Sequence, residues 1–288
     1  MTDGSEPVGP LSGLIVLDLS RILAGPTCTQ LLGDLGATVI KIENPASGGD
    51  DTRQWGPPFA MDRDGTPTDL SSYFMSANRN KLSIALDIAT PEGQGTVRRI
   101  AERADVFIEN FRPGTMEKWG LGPDTLKADN PGLIYARISG YGQTGPSAGL
   151  PAYAPVIHAT SGFDLAHISY QAGRTRPDYC GIFIADVLTG TYAFGAIATA
   201  IAQRKTTGRK RSTKSAGTQA RSERRVRTKD RADARSTDTG AVLEILATID
   251  EILIDLVRPA QLGQFGQQNS GLGVAVPCVG SVVHLAPL

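Results

Sequence analysis

Five short runs of branched apolar residues, separated by stretches of helical character, constrain this chain more than any other feature. They are GLIVLDLS at 13–20, ATVIKIE at 37–43, LSIALDI at 82–88, DVFIENF at 105–111 and LIYARIS at 133–139. Near-continuous apolar runs suit strands buried on both faces. Helical stretches are expected at 27–35, ended by Gly36, at 91–104 and at 113–119. Thr90-Pro91-Glu92 supplies a capping hydroxyl, a proline at the first helical position and an acid in the first turn. Alternation of this kind builds right-handed β-α-β units. The predicted fold class is therefore α/β, an open parallel sheet with helices on both faces. Such sheets bind ligands at the carboxyl ends of their strands. That rule singles out the loops beginning at Ser20, Glu43, Ala89, Asn110 and Ser139.

A carboxylate in an apolar run is the second constraint. Residues 181–197 read GIFIADVLTGTYAFGAI, and Asp186 is their one carboxylate. An unpaired buried carboxylate is costly, so it needs a partner, a solvent path or a task. The run from 187 to 203 predicts a central helix, because its glycines and alanines permit close backbone approach. Asp186 then stands where it can cap that helix. A helix N-terminus also keeps a carboxylate ionised in a dry site, and such a carboxylate is a usable nucleophile. The two readings are compatible.

Several chemistries lack their signature. The first strand–helix junction, SRILAGPTCTQ, has no G-x-G-x-x-G, which argues against nicotinamide or flavin. Ala24-Gly25-Pro26 reads as a tight turn suited either to a ligand edge or to plain connection. No G-x-S-x-G is present for a hydrolase. His158, His167 and His284 have no ligand set at metal-site spacing, so no metal is expected. Arg53, in DDTRQWGPP, is a candidate anion grip or a solvated loop charge. Asn110-Phe111-Arg112-Pro113-Gly114 offers an amide, an aromatic face and a guanidinium for a nucleotide, or a plain strand-to-helix turn.

Charge divides the chain. The formal net charge is zero, yet residues 204–235 hold thirteen Lys/Arg against three Asp/Glu, a balance of +10. Residues 209–240 contain a single branched aliphatic, Val226, and cannot offset their ordering entropy. No aromatic interrupts this basic segment, so a solvated linker is expected rather than a nucleic-acid partner. Residues 241–257 regain a helical rhythm, stopped by Pro259, and the last thirty residues show no clear organisation. The expected divisions are a polar arm at 1–12, an α/β domain at 13–208, the basic segment at 209–240, and an acidic amphipathic helix with an irregular tail at 241–288. Three scattered cysteines without C-x-x-C fit a reducing, cytoplasmic setting. The N-terminus lacks the pattern of a secretory signal, and no uninterrupted apolar run reaches the roughly 20 residues of a membrane span.

Six stretches in order carry a family resemblance. They are LSGLIVLDLSRILAGPTCTQLLGDLGATVIKIE, GGDDTRQWGPP, NRNKLSIALDIATPEG, ADVFIENFRPGTMEKWGLG, LIYARISGYGQTGP and ADVLTGTYAFGAIATAIAQRKTTGR. Over residues 10–209 the chain resembles the class III CoA transferases, the group that includes formyl-CoA transferase, carnitine CoA transferase and α-methylacyl-CoA racemase. The resemblance implies a Rossmann-like open sheet joined to a smaller domain, in interlocked homodimers. It implies acyl-CoA and a small carboxylic acid as partners, with coenzyme A carried as the substrate thioester. It places the acylated aspartate on Asp186. It assigns CoA contacts to Leu23 and Ala24, to Leu86, Asp87, Ile88 and Ala89, to Asn110, Phe111 and Arg112, to Lys118 and to Tyr153. Asn44 stands where some members have arginine. Tyr153-Ala154 replaces the acid/base pair of the racemases, which favours transfer over racemisation. After about residue 209 the family texture stops, so the C-terminal small domain is expected to be largely missing, through truncation or an altered reading frame.

Overall fold

The computed structural model describes residues 9–177, 181–206, 275–278 and 281–285. In chain order the first half builds β1 (Ile15–Asp18), α1 (Ala24–Asp34), β2 (Thr38–Glu43), β3 (Phe59–Met61), β4 (Pro67–Ser71), α2 (Ser72–Asn78) and β5 (Lys81–Ala85). Then follow α3 (Pro91–Ala101), β6 (Val106–Glu109), α4 (Thr115–Lys118), α5 (Pro123–Asp129), β7 (Ile134–Ser139), α6 (Ala154–Thr160), α7 (Phe163–Ile168) and α8 (Ile184–Thr206). Near the end lie β8 (Ala275–Cys278) and β9 (Ser281–Leu285).

All five apolar runs become strands of one sheet, ordered β5-β2-β1-β6-β7-β9-β8. The first five are parallel, while β9 runs antiparallel to β7 and to β8. The predicted α/β class holds. The terminal hairpin adds order to a stretch read as irregular, because so short an apolar run pairs only when a sheet edge is offered to it. The predicted helix at 241–257 and the basic segment at 209–240 lie outside the described residues. So do the 1–8 portion of the N-terminal arm and Cys180.

Strand order fixes the ligand crevice. Chain connection leaves β1 toward β2 and β5 on one side, then returns to β6 and β7 on the other. The reversal falls between β1 and β6, and loops that diverge there leave a cleft beyond the strand ends. Two cores sandwich the sheet. One contains Val16, Cys28, Leu32, Val39, Ile108 and Ile134 with Ala193, Ile197 and Ile201 of α8. The other contains Leu17, Phe107, Tyr135, Val97 and Met116 from the opposite face. Alternate residues of β1 and β6 point to opposite cores, as the pleat requires.

Three boundaries move in ways that matter for the site. The first helix starts at Ala24, so Ala24-Gly25-Pro26 is its first turn rather than a turn before it. The strand at 82–88 ends at Ala85, which releases Leu86–Ala89 into the loop above it. The last helix of the domain starts at Ile184, so Asp186 sits inside its first turn instead of capping it. Thr90 behaves as expected: its Oγ1 accepts from Gly93 N–H at 3.1 Å, with Pro91 at the helix start.

α8 has 23 residues, and an 18-residue stretch of it reaches a mean hydropathy of 1.4, long and apolar enough to cross a membrane. The sequence reading placed a shorter helix there and no span. In the fold, one face of α8 (Ala185, Thr189, Gly190, Ala193, Ile197, Ala200 and Ile201) is buried. That face packs into the core that contains α1, and burial of this kind gives a soluble core helix the same composition.

Candidate active site at the first turns of two helices

α1 begins without a cap of its own. Leu23, its N-cap residue, has no side-chain acceptor, and Pro26 has no N–H to offer. The backbone N–H of Ala24 acts instead on the carboxylate of Asp186, three residues into α8, and favours its ionised form. One carboxylate therefore lies at the positive ends of two helices, its own and α1. Both favour negative charge there.

Burial acts in the opposite direction and prevails. It pushes the Asp186 carboxyl up to about 6, against the Ala24 N–H and the backbone N–H of Asp186 itself, which lower it. The group is still ionised at neutral pH, yet it is poorly hydrated. That combination makes a carboxylate reactive toward an acyl carbon.

Close approach of α1 and α8 depends on Gly190. A Cβ there would lie 2.5 Å from the Ala24 carbonyl oxygen and 2.9 Å from Thr27 Cβ. Gly190→Ala is therefore expected to wedge the helices apart. Overpacking of this kind costs about 1–3 kcal/mol. A melting curve should show a drop of several degrees, and Asp186 should lose its Ala24 contact.

On the other side of the same turn stands His158 of α6. Its Nε2 accepts the Ala185 N–H at 3.1 Å, and the ring is buried beside Phe163. Its nitrogen is thereby committed to the helix start. The metal alternative for His158 and His167 gains no carboxylate or thiolate cluster among the described residues.

The expected CoA contacts sort into two groups. Leu23 and Ala24 are buried at the start of α1, directly beside Asp186. Leu86, Asp87, Ile88 and Ala89 form the loop at the carboxyl end of β5, where Asp87 Oδ1 accepts the Ala89 N–H at 2.9 Å. Phe111 packs edge-on against Trp119 at 5.7 Å. Arg112 and Lys118 are exposed near the β6 end and have no ion-pair partner among the described residues. Tyr153 precedes α6 and is 66% exposed. All but Tyr153 lie at or just beyond the carboxyl ends of β1, β5 and β6.

Two candidates have other partners. Asn110 binds the backbone of Arg21 on both sides: its Oδ1 accepts the N–H at 2.9 Å and its Nδ2 donates to the carbonyl at 2.8 Å. Arg53 is no anion grip. Its Nε and Nη2 donate to the Glu43 carboxylate at 2.9 and 2.6 Å, and its guanidinium covers the Phe74 ring at 3.9 Å. Burial works to raise Glu43, but Arg53, Ser83 and the Asp50 N–H hold it at about 2.

Sequence reasoning missed a buried ionic group beneath the first turn. Lys41 Nζ lies 3.0 Å from Asp50 Oδ2, and Lys81 Nζ lies 3.2 Å from Asp18 Oδ2. Thr29 Oγ1 donates to Asp18 Oδ2 at 2.6 Å, and Lys41 donates to the Ser20 carbonyl at 2.7 Å. It also missed Glu109, at the end of β6, which burial pushes up to about 8 even though it accepts the Phe111 N–H at 2.8 Å. The signal was available. Asp18, Lys41 and Glu109 are ionisable groups inside apolar strands, the same anomaly that exposed Asp186.

Comparison with known proteins places this geometry. Residues 11–221 match the model of CoA-transferase family III. The succinate–glutarate CoA-transferase of Agrobacterium fabrum is 45% identical over 201 residues, 70% of this chain and 49% of that protein. The succinyl-CoA:glutarate CoA-transferase of Mus musculus is 45% identical over 206 residues, 71% of this chain and 44% of that protein. A solved CAIB/BAIF family protein from Brucella suis has 46% identity and a TM-score of 0.63, covering 69% of this chain and 51% of its own. The chain thus spans about half the length of the curated relatives it matches. With a matched model over most of its length and Asp186 shielded at the end of a doubly wound sheet, the chain belongs to CoA-transferase family III.

Proposed function

We propose that this chain transfers CoA from an acyl-CoA donor to a carboxylic acid, with Asp186 as the residue that is acylated. The observation that carries the reading is the Asp186 carboxylate, desolvated in the first turn of α8 where it packs on the start of α1.

The steps follow from that position. A carboxylate oxygen of Asp186 attacks the donor thioester carbon. The C–S bond breaks, CoA leaves as thiolate, and a mixed anhydride remains. The thiolate then attacks the aspartyl carbonyl, expels the donor acid as carboxylate, and leaves an aspartyl-CoA thioester. The acceptor carboxylate repeats the sequence in reverse order, forming a second anhydride and then its own CoA thioester. Asp186 returns unchanged, and no proton or electron is consumed.

Negative charge collects on the aspartyl carbonyl oxygen each time it is attacked. The Ala24 N–H already favours negative charge on that group, so it can stabilise the charge that develops there. Water would hydrolyse the anhydride, which gives the buried setting its purpose. A racemase needs acid and base groups flanking an α-carbon. Tyr153 and Ala154 supply no such pair, and His158 has its Nε2 engaged by Ala185.

Relatives named for succinyl-CoA make that thioester the first donor to test. Incubation with succinyl-CoA, followed by intact mass and peptide mapping, should show a covalent adduct on Asp186. An adduct-free Asp186 across a panel of acyl-CoAs would remove the reading. Ionised carboxylate is the attacking form, so the acylation rate should fall as pH drops through about 6. A rate flat from pH 8 to pH 5 would contradict that assignment. The interlocked homodimer, the cytoplasmic setting and the absence of a membrane or nucleic-acid partner are parts of the same proposal.

A further inference from the structure

We infer that His158 is a positioning residue: from α6 its neutral imidazole caps the start of α8 and so keeps the turn that carries Asp186 closed to water. For its catalytic consequence this rests on the transferase reading. The capping role does not.

α8 begins without a capping side chain of its own. The three residues before it, Gly181-Ile182-Phe183, carry no side-chain oxygen. The first four N–H groups of a helix need acceptors from outside its ladder. Ile184 N–H finds the Ile182 carbonyl at 3.0 Å, and Val187 N–H finds the Phe183 carbonyl at 3.1 Å. The Asp186 N–H acts on its own carboxylate. The Ala185 N–H instead donates across the fold, to His158 Nε2 at 3.1 Å, 27 positions upstream.

Both partners of that bond are buried. Ala154, Ile157 and Ala185 form a small apolar core with Phe183 packed on it, so the bond is shielded. A buried N–H left unpaired is costly, and the turn would have to open to let water satisfy it. Asp186 is the next residue, so water admitted to the Ala185 N–H reaches the start of the same turn. The imidazole can accept at Nε2 only when neutral, with its proton on Nδ1. Packing is the rival role, because the ring also lies 5.0 Å from that of Phe163. The two roles tolerate different substitutes. Gln keeps an acceptor at a similar reach and loses the ring. Leu keeps the apolar bulk and loses the acceptor.

The test uses the full chain as wild type, His158→Gln and His158→Leu. Amide hydrogen exchange at Ala185 is followed by NMR. Acylation by succinyl-CoA is followed by intact mass, and hydrolysis by release of succinate. In the Leu variant the Ala185 amide should exchange roughly tenfold faster or more. Acylation should slow about tenfold as the carboxylate loses its fixed place. The share of donor lost to hydrolysis should rise, because entering water cleaves the anhydride to the Asp186 carboxylate and free donor acid. The Gln variant should stay within about threefold of wild type in both exchange and acylation. Wild-type exchange at Ala185 in the Leu variant, or equal damage in both variants, overturns the inference. Faster exchange in Leu with acylation unchanged overturns the positioning role. Should Leu fail to fold, Gln decides: kept protection and acylation support capping, and about a tenfold loss of either removes it. If exchange responds as expected and no donor acylates even the wild type, the transferase reading fails and the capping role stands.

Discussion

Asp186→Asn is expected to abolish acylation and CoA transfer and, at neutral pH, to make the protein more stable. The loss should be at least about a thousandfold, since an amide is no nucleophile and nothing else in the first turn of α8 can replace it. The gain comes from linkage. Burial raises the Asp186 carboxyl to about 6 in the folded chain, from 3.8. Between those values the folded state binds the proton more tightly than the unfolded state does. Stability is thus greatest below about pH 4 and declines as pH rises toward 6. Above that the ionised group destabilises the fold by up to about 3 kcal/mol. Asn keeps the size and an acceptor for the Ala24 N–H but carries no charge. Melting curves of the two proteins should therefore separate at pH 7.5, with the variant higher, and converge near pH 4. Retained acylation would end the proposed role. Equal melting at pH 7.5 would show that the carboxylate is better hydrated than its position implies.

Lys41→Met should give the largest loss of stability, about 3–5 kcal/mol. The change leaves Asp50, almost fully buried, without the ammonium 3.0 Å away. It also strips the Ser20 carbonyl of its donor. Removing one member of a buried ion pair strands the other, which is far worse than replacing both. For a domain of this size the loss corresponds to a fall in melting midpoint of roughly 10 °C. Lys41→Met combined with Asp50→Leu should recover part of it, because no charge is then stranded. The acid limb offers a second check. Burial works to raise Asp18, but Lys81 and Lys41, with the Ser20 and Thr29 hydroxyls, outweigh it and hold the carboxyl at about 2. Its contribution is present above pH 4 and disappears as pH falls through 2. The variant should lose part of this acid resistance as well as the melting midpoint.

Much of the architecture was legible because it is local or periodic. Branched apolar runs have one good use in a chain that alternates them with helices, and all five became neighbours in one sheet. Thr90-Pro91 announced a helix start that needs only its own residues. Asp186 was legible as an anomaly, a charge where the surrounding run has no use for one. The family resemblance then pointed to the same residue from the order of six motifs.

What the sequence could not specify was who satisfies whom across the fold. The start of α1 was misread because its cap is not beside it. The carboxylate that the Ala24 N–H acts on arrives from α8, and no local pattern encodes that meeting. Arg53 looked like a free cation until folding brought Glu43 and Phe74 against it. Asn110, expected as a ligand contact, also binds the Arg21 backbone, a partner that only the β1–β6 reversal brings beside it. The residues alone determined an α/β sheet, its ligand-binding end and the one acid worth suspecting, since periodicity and composition are properties of the chain itself. Only the tertiary structure decided that this acid sits where two helices begin and that buried ions hold the turn opposite it. Desolvation and hydrogen-bond direction depend on distances between segments remote in sequence.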